Sequence, residues 1–357
     1  MIKARLSKLR RELKSRNLDG LIVTDLLNVR YISAFTGSFG VLVVSRTGAD
    51  LFTDARYGIQ SCEQCIGITV HIVDYNWPPH IQKFINDLGM NRVGFEEGSL
   101  IYHNWKSISD LLPAEALIPT SGIVEGLRMI KDPGEIARIK EAARIADIVY
   151  DEVVVNIRPG MCEADIALEM YCCMRRHGAE KEGFDTIVAA GSRSALPHWK
   201  ASKRKVETGD LIVFDYGALY EGYHSDITRT LVIGQASPRQ QELYDIVLEA
   251  QKRAIEAIRP GLRGKEVDAV ARDYISSKGC GELFGHGLGH GLGLDIHDPG
   301  ALSRRGEVVL QPGMVFTVEP GIYIADWGGI RIEDDILVTT AGCEVLTHSP
   351  KELCLCK

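Results

Sequence analysis

Two stretches of this chain, GDLIVFDYG at positions 209–217 and GMVFTVEPG at 313–321, share an unusual pattern: a glycine, an apolar run, a carboxylate where the next apolar residue belongs, and a closing glycine. They lie 104 positions apart, with Asp215 in step with Glu319. A buried strand that ends on an ionised carboxylate loses several kcal/mol to desolvation unless a cation meets the charge. Two such strands therefore constrain the fold to two similar halves, facing one another across a pseudo-twofold axis. A second match, IRPGMCEADI at 157–166 against IRPGLRGKEVDAV at 258–270, reads in both places as a helix end, a Pro-Gly turn and a new helix.

More acidic residues follow the same logic. Asp226 stands 11 positions after Asp215, beyond Tyr220-Glu221-Gly222, so a hairpin returns it to the same place. Strand alternation sets His224 and Thr228 on its face. In GGIRIEDDILV, period-two alternation puts Arg331, Glu333 and Asp335 on one face and Asp334 on the other. Taken singly, each acid also has an ordinary reading: Asp226 and Arg229 as solvated loop charges, the others as structural salt bridges. The segment GHGLGHGLGLDIHD at 285–298 adds His286, His290 and His297, with glycines that let the backbone approach a ligand. Structural histidines would be the ordinary alternative there, but three on a glycine-rich stretch are not a core pattern. Four carboxylates and one imidazole make an oxygen-rich set suited to divalent ions, unlike the thiolate sets of structural zinc. Two such ions about 3.5–4 Å apart share a hydroxide nucleophile and polarise a carbonyl, which is amide hydrolysis chemistry.

The length of 357 residues favours two domains, and 45% apolar residues suffice for their cores. Ile2, Leu6, Leu9 and Leu13 mark one face of a first helix, Asp19-Gly20 turns the chain, and strands follow at 21–23 and near 40–45, 50–53 and 92–95. These predict an α/β domain over 1–125. Asp132-Pro133 with Glu135 is a helix start with a capping carboxylate, and Ile136, Ile139, Ala143, Ala146 and Val149 continue at helical spacing. The second domain is thus expected over 126–357. The net charge of −7, with no basic block beyond 200–205, argues against nucleic acid as a partner. Neither a signal-peptide core nor an apolar run of about 18 residues is present, so no membrane partner and a cytoplasmic location are expected. Nine cysteines scattered from Cys62 to Cys356 fit reduced thiols better than a disulfide framework. The pair Cys62 and Cys65 lacks a partner pair that would complete a zinc site.

Taken together, DYG at 215–217, SDITRT at 225–230, the histidine segment, EPGIY at 319–323 and RIED at 331–334 resemble the creatinase, methionine aminopeptidase and prolidase superfamily across the whole second domain. NVRYISAFTGS at 28–38 and TDARY at 53–57 resemble the creatinase-type N-terminal domain, which sets the chain apart from most single-domain methionine aminopeptidases. The resemblance implies an α/β (α+β) chain with a pita-bread catalytic domain. It implies two divalent metal ions, manganese, cobalt or zinc, held by Asp215, Asp226, His290, Glu319 and Glu333, with Asp226 and Glu333 contacting both. Glu319 and Glu333 would also move protons. His198, in SALPHW, and His297 would hydrogen-bond the substrate carbonyl or the tetrahedral intermediate, His286 would touch substrate, and Tyr323 and Arg331 would support the site. Trp199 departs from the glycine of many relatives and would narrow the specificity pocket. The implied activity is hydrolysis before proline through a metal-bridging hydroxide, by an Xaa-Pro aminopeptidase or an Xaa-Pro dipeptidase (prolidase), on short peptides with proline second. A homodimer follows from the same resemblance. Arg304 or Arg305 would either capture a dipeptide's carboxylate or remain a solvated surface residue. A creatinase-like, metal-independent hydrolase and a non-catalytic binding scaffold are the other classes; five intact ligand positions argue against both.

Overall fold

The apolar stripe of the first helix, Ile2–Ser15, is buried at Leu6, Leu9 and Leu13, and the chain then enters the fully buried strand Gly20–Val23. The computed structural model describes residues 2–110, 112–113, 115–154 and 156–356. It divides into two compact units, Met1–Arg128 and Met129–Lys357. A border at 125 would cut the helix Ile123–Arg128, which belongs to the first unit.

The first unit is built on a mixed six-stranded sheet in the order Thr69–Ile72, Ala49–Thr53, Val41–Ser45, Gly20–Val23, Val93–Glu96, Leu117–Thr120. Only the pairings of Val41–Ser45 with its two neighbours are antiparallel. Asn28, in the motif at 28–38, is fully buried and ties the unit's polar interior together: its amide donates to Glu96 and Glu125, and its oxygen accepts from Arg128.

In the second unit the helix Pro133–Val154 begins as its sequence requires. Asp132 accepts from the backbone N–H groups of Gly134 and Glu135, while Glu135 reaches back to the N–H of Asp132 at 2.9 Å. Ile139, Ala143, Ala146 and Val149 are buried, and this helix packs with Glu163–Arg176 on one side of a four-stranded sheet, in the order Cys354–Cys356, Ile227–Ile233, Leu211–Tyr216, Ile187–Ala190. A second pair, Pro238–Ala257 and Gly264–Ser277, packs likewise on a five-stranded sheet, in the order Asp298–Leu302, Gly289–Gly291, Val315–Val318, Asp334–Val338, Cys343–Val345.

The duplication holds down to single hydrogen bonds. Gly160, in the first Pro-Gly turn, donates to the Val206 carbonyl at 2.8 Å, and Gly261, in the second, to that of Leu310 at 2.9 Å. Gly209 and Gly313, 104 apart, take φ of 91° and 90° and donate to Ile233 and Val338, the last residues of the partner strands. Each lets the chain turn sharply into its acidic strand, a backbone conformation costly for residues with a Cβ. A Cβ at Gly209 would meet nothing within 4 Å. Gly209→Ala should therefore lose only the conformational term, about 1–3 kcal/mol, read as a lower urea midpoint at unchanged slope. An unchanged midpoint would mean the turn relaxes without cost.

Among the described residues no helix is long and apolar enough to cross a membrane. Cys62, Cys65, Cys162, Cys172, Cys173, Cys280 and Cys343 are all free. Cys62 is exposed and Cys65 buried, and among the described residues neither joins a group of three side chains placed to hold a metal.

Candidate active site

Asp215 and Asp226 meet because Leu211–Tyr216 and Ile227–Ile233 pair antiparallel, with Thr228 opposite Asp215. The tip between them is a two-residue turn at Glu221 and Gly222, both at positive φ. In the other half, Val315–Val318 pairs with Asp334–Val338, Val318 opposite Asp334, which carries Glu319 and Glu333 to adjacent strand ends. His290 comes from the short strand Gly289–Gly291 beside them. The glycines flanking His290 serve strand packing: a Cβ at Gly289 would lie 1.9 Å from the Thr317 carbonyl, and one at Gly291 would lie 2.3 Å from that of Pro299. The expectation that they make room for a ligand gives way to this closer constraint.

Asp215, Asp226, His290, Glu319 and Glu333 all line one cavity of about 880 Å³. His198, Trp199, His286, His297, Tyr323 and Arg331 line it too, so the implied ligand set and the implied substrate-contacting and supporting residues all reach this space. His198 and His297 are exposed, the latter with its ring edge-to-face on His290 at 4.5 Å. Trp199 is fixed as a wall by its indole N–H, which donates to Glu163 at 3.0 Å, and by Arg193 stacked 4.5 Å from the ring. His224 is different. It bonds the Gly293 carbonyl instead of lining the cavity, because the chain leaves strand geometry between Tyr223–His224 and Ile227–Ile233, and alternation does not carry across that break.

The floor is polar and buried. Arg331 donates to Asp215 at 2.5 Å, to Thr228 at 3.0 Å and to the Tyr323 hydroxyl at 2.9 Å. Thr228 passes its own proton to Glu333 at 2.5 Å. His286 faces the Gly287 carbonyl with Nδ1, which must donate, so its Nε2 accepts from the Tyr323 hydroxyl. Burial holds this imidazole neutral, its pKa down to about 4. Asp335, which shares the Arg331 and Glu333 face, accepts the backbone N–H of Asp226 at 3.0 Å. Asp334 points away to Arg229, Gln251 and Lys351. Thr228 and Asp335, which alternation set on the faces of Asp226 and Glu333, thus belong to the site, although no role had been given to them. Glu163, which anchors Trp199, carries no such signal.

Three observations fit divalent cations. First, Asp215 Oδ1 and Asp226 Oδ1 are buried with no hydrogen-bond partner. Second, His290 must donate from Nδ1 to the Gly291 carbonyl at 3.0 Å, and burial pushes its pKa down to about 4. Its Nε2 lone pair is then aimed at Asp226 and Glu319, 3.6 and 3.7 Å away, a repulsive pairing that a cation turns into coordination. Third, burial, joined by repulsion among the acids, pushes Asp226 and Glu333 well above the usual carboxylate range, and burial carries Glu319 to about 8. Cations among the acids reverse both effects. Asp226, His290 and Glu333 offer ligand atoms within 4.8 Å of one another.

Two similar halves that close an oxygen-rich cradle over a substrate-sized cavity define a metallopeptidase. The chain belongs to metallopeptidase family M24, matched over residues 137–340, and its residues 5–130 match the Creatinase/Prolidase N-terminal domain. The expected creatinase-type and pita-bread architecture is therefore that of this chain, and membership implies divalent metal ions. It is 39% identical to the Xaa-Pro dipeptidase of Pyrococcus furiosus, over 99% of this chain and 100% of that one. Among solved structures it is similar to an Xaa-Pro dipeptidase from Bacillus anthracis, at 45% identity and a TM-score of 0.97 over 99% of this chain and 100% of that one. It is also similar to an X-Pro aminopeptidase from Thermotoga maritima, at 40% identity and a TM-score of 0.91 over 98% and 99%.

Proposed function

We propose that the protein is a two-metal exopeptidase that hydrolyses the bond before proline in short peptides, with Asp215, Asp226, His290, Glu319 and Glu333 as ligands. The observation that carries this reading is the His290 lone pair and the orphaned oxygens of Asp215 and Asp226, all directed into one cradle. Ions held there supply a water-derived nucleophile near neutral pH and polarise the scissile carbonyl. Manganese, cobalt and zinc all suit such a ligand set. Asp226 and Glu333 would help to hold the ions, and Arg331 fixes Asp215 through its guanidinium. Glu319 and Glu333 take up the proton released by the attacking water and return one to the prolyl nitrogen as it leaves. His198 and His297 donate from the rim to the carbonyl oxygen as it gains charge. The chain works as a homodimer, a reading that rests on the resemblance, and in the cytoplasm, to which its scattered cysteines point.

Selectivity lies in shape. A bond before proline is a tertiary amide without an N–H, and the pyrrolidine ring is rigid. Trp199, pinned by Glu163, and His286, pinned by Tyr323, are stiff walls for such a ring, with His297 and Tyr323 completing it. Ala-Pro should be hydrolysed with a kcat/KM at least about a hundredfold above that for Ala-Ala or Met-Ala. Comparable values on all three, or a preference for Met-Ala, would refute the reading. Arg304 and Arg305 are exposed and line an adjoining cleft of about 390 Å³ that shares His286 with the main cavity. If they grip the free carboxylate of a dipeptide, Ala-Pro is cut faster than Ala-Pro-Ala, and the gap closes in Arg304→Ala or Arg305→Ala.

A further inference from the structure

Away from the cavity, the helices Pro133–Val154 and Glu163–Arg176 bring a different set of donors together. Cys173 and His177 are four residues apart, so both fall on one face at the end of the second helix, with His177 as its C-cap. Glu152 meets them from the first helix. Cys173 Sγ lies 3.1 Å from one oxygen of Glu152, and His177 Nε2 lies 2.7 Å from the other. All three ligand atoms are within 4.8 Å of one another. Cys173 is buried, while the side chains of His177 and Glu152 are 31% and 44% exposed, so the cluster opens to water on one side.

The geometry points to a separate metal site here, in which Cys173, His177 and Glu152 bind one thiophilic divalent ion such as Zn²⁺ or Co²⁺. Tetrahedral zinc with bonds of about 2.3 Å to sulfur and about 2.0–2.2 Å to nitrogen and oxygen sets its ligand atoms roughly 3.3–3.7 Å apart. The observed 3.1 and 2.7 Å separations, each to a different Glu152 oxygen, need open by only about 1 Å or less, and every pair among one chosen set of ligand atoms already lies within 4.8 Å. On binding, the thiol proton leaves to solvent and Sγ coordinates as thiolate. His177 coordinates as neutral imidazole through Nε2, Glu152 through one oxygen, and water completes the shell. Thiolate and carboxylate together cancel the charge of the ion. Without it, burial and the adjacent Glu152 push the Cys173 thiol up to about 12.

One cation already stands nearby. Arg176 lies 3.8 Å from Glu152, yet it is closer to Glu169 at 3.0 Å and its side chain is 55% exposed, so it keeps a partner when an ion displaces it. The two sites differ in softness. No cysteine is among the residues lining the active-site cavity, so sulfur ligation sets the helix-pair site apart and selects other ions than the carboxylate cradle does. An ion there also ties the two helices together and stabilises the fold by mass action.

The test is to strip the full-length protein of metal and titrate it with Co²⁺, following the near-ultraviolet thiolate-to-cobalt charge-transfer band and the bound cobalt per chain. The band should appear in the wild type and vanish in Cys173→Ala, with one ion fewer bound. His177→Gln and Glu152→Gln, at a half-buried and an exposed position, should weaken it about tenfold or more in affinity while leaving Ala-Pro hydrolysis unchanged. They decide the matter even if Cys173→Ala folds poorly. Absence of the band in the wild type overturns the proposal, as does a band untouched in His177→Gln and Glu152→Gln, which would move the cobalt to another thiol such as exposed Cys62.

Discussion

Asp226→Ala and Glu333→Ala should each abolish turnover and empty at least one metal position, while far-ultraviolet circular dichroism stays that of the wild type. Both carboxylates are buried, at 5% and 2% exposure, and each is placed by a group other than the ions: Asp226 by its N–H on Asp335, Glu333 by the hydroxyl of Thr228. The fold therefore does not depend on the metal to position them. A further sign follows from electrostatics. In the metal-free protein burial, joined by repulsion between these acids, raises the pKa of both. Removing one relieves that repulsion, so the stripped variant should unfold at an equal or higher denaturant concentration than the stripped wild type. With metal present the order reverses, because the wild type gains more binding free energy than a variant with an emptied position. A variant with full metal content and near-normal kcat would remove Asp226 and Glu333 from the centre.

His297→Ala and His198→Ala should each lower kcat by about a hundredfold or more, the scale for losing one hydrogen bond made to the developing oxyanion, with metal content unchanged. The distinction matters because His297 packs on His290 at 4.5 Å. His290, however, is oriented by the Gly291 carbonyl at 3.0 Å, so loss of its neighbour leaves its Nε2 aimed at Asp226 and Glu319. Parallel kcat measurements and metal analysis separate the roles. If metal stoichiometry falls in His297→Ala, His297 is a ligand and the assignment of the two histidines must be exchanged.

Local pattern made much of this molecule legible in advance. The repeat of glycine, apolar run and carboxylate placed Asp215 and Glu319 in equivalent halves, and Gly209 and Gly313 share a φ near 90° as that equivalence requires. Alternation separated Glu333 and Asp335 from Asp334, because a strand can bury only every second side chain against a given neighbour. The capping box at Asp132 and Glu135 was legible for the same reason: all its partners lie within one turn. What could not be read were contacts whose partners are distant in the chain. Arg331 meets Asp215 across 116 residues, Asp335 supports Asp226 across 109, and Glu163 fixes Trp199 across 36. His224 failed for the opposite reason, since periodicity assumes an unbroken strand and this one breaks at Ser225 and Asp226. The sequence by itself determined which residues are acidic, apolar or free to turn, and so which faces must be dry. Only the tertiary structure decided which dry faces meet, because sheet register and helix packing are settled by the burial of the whole core at once and not by any single residue's preference.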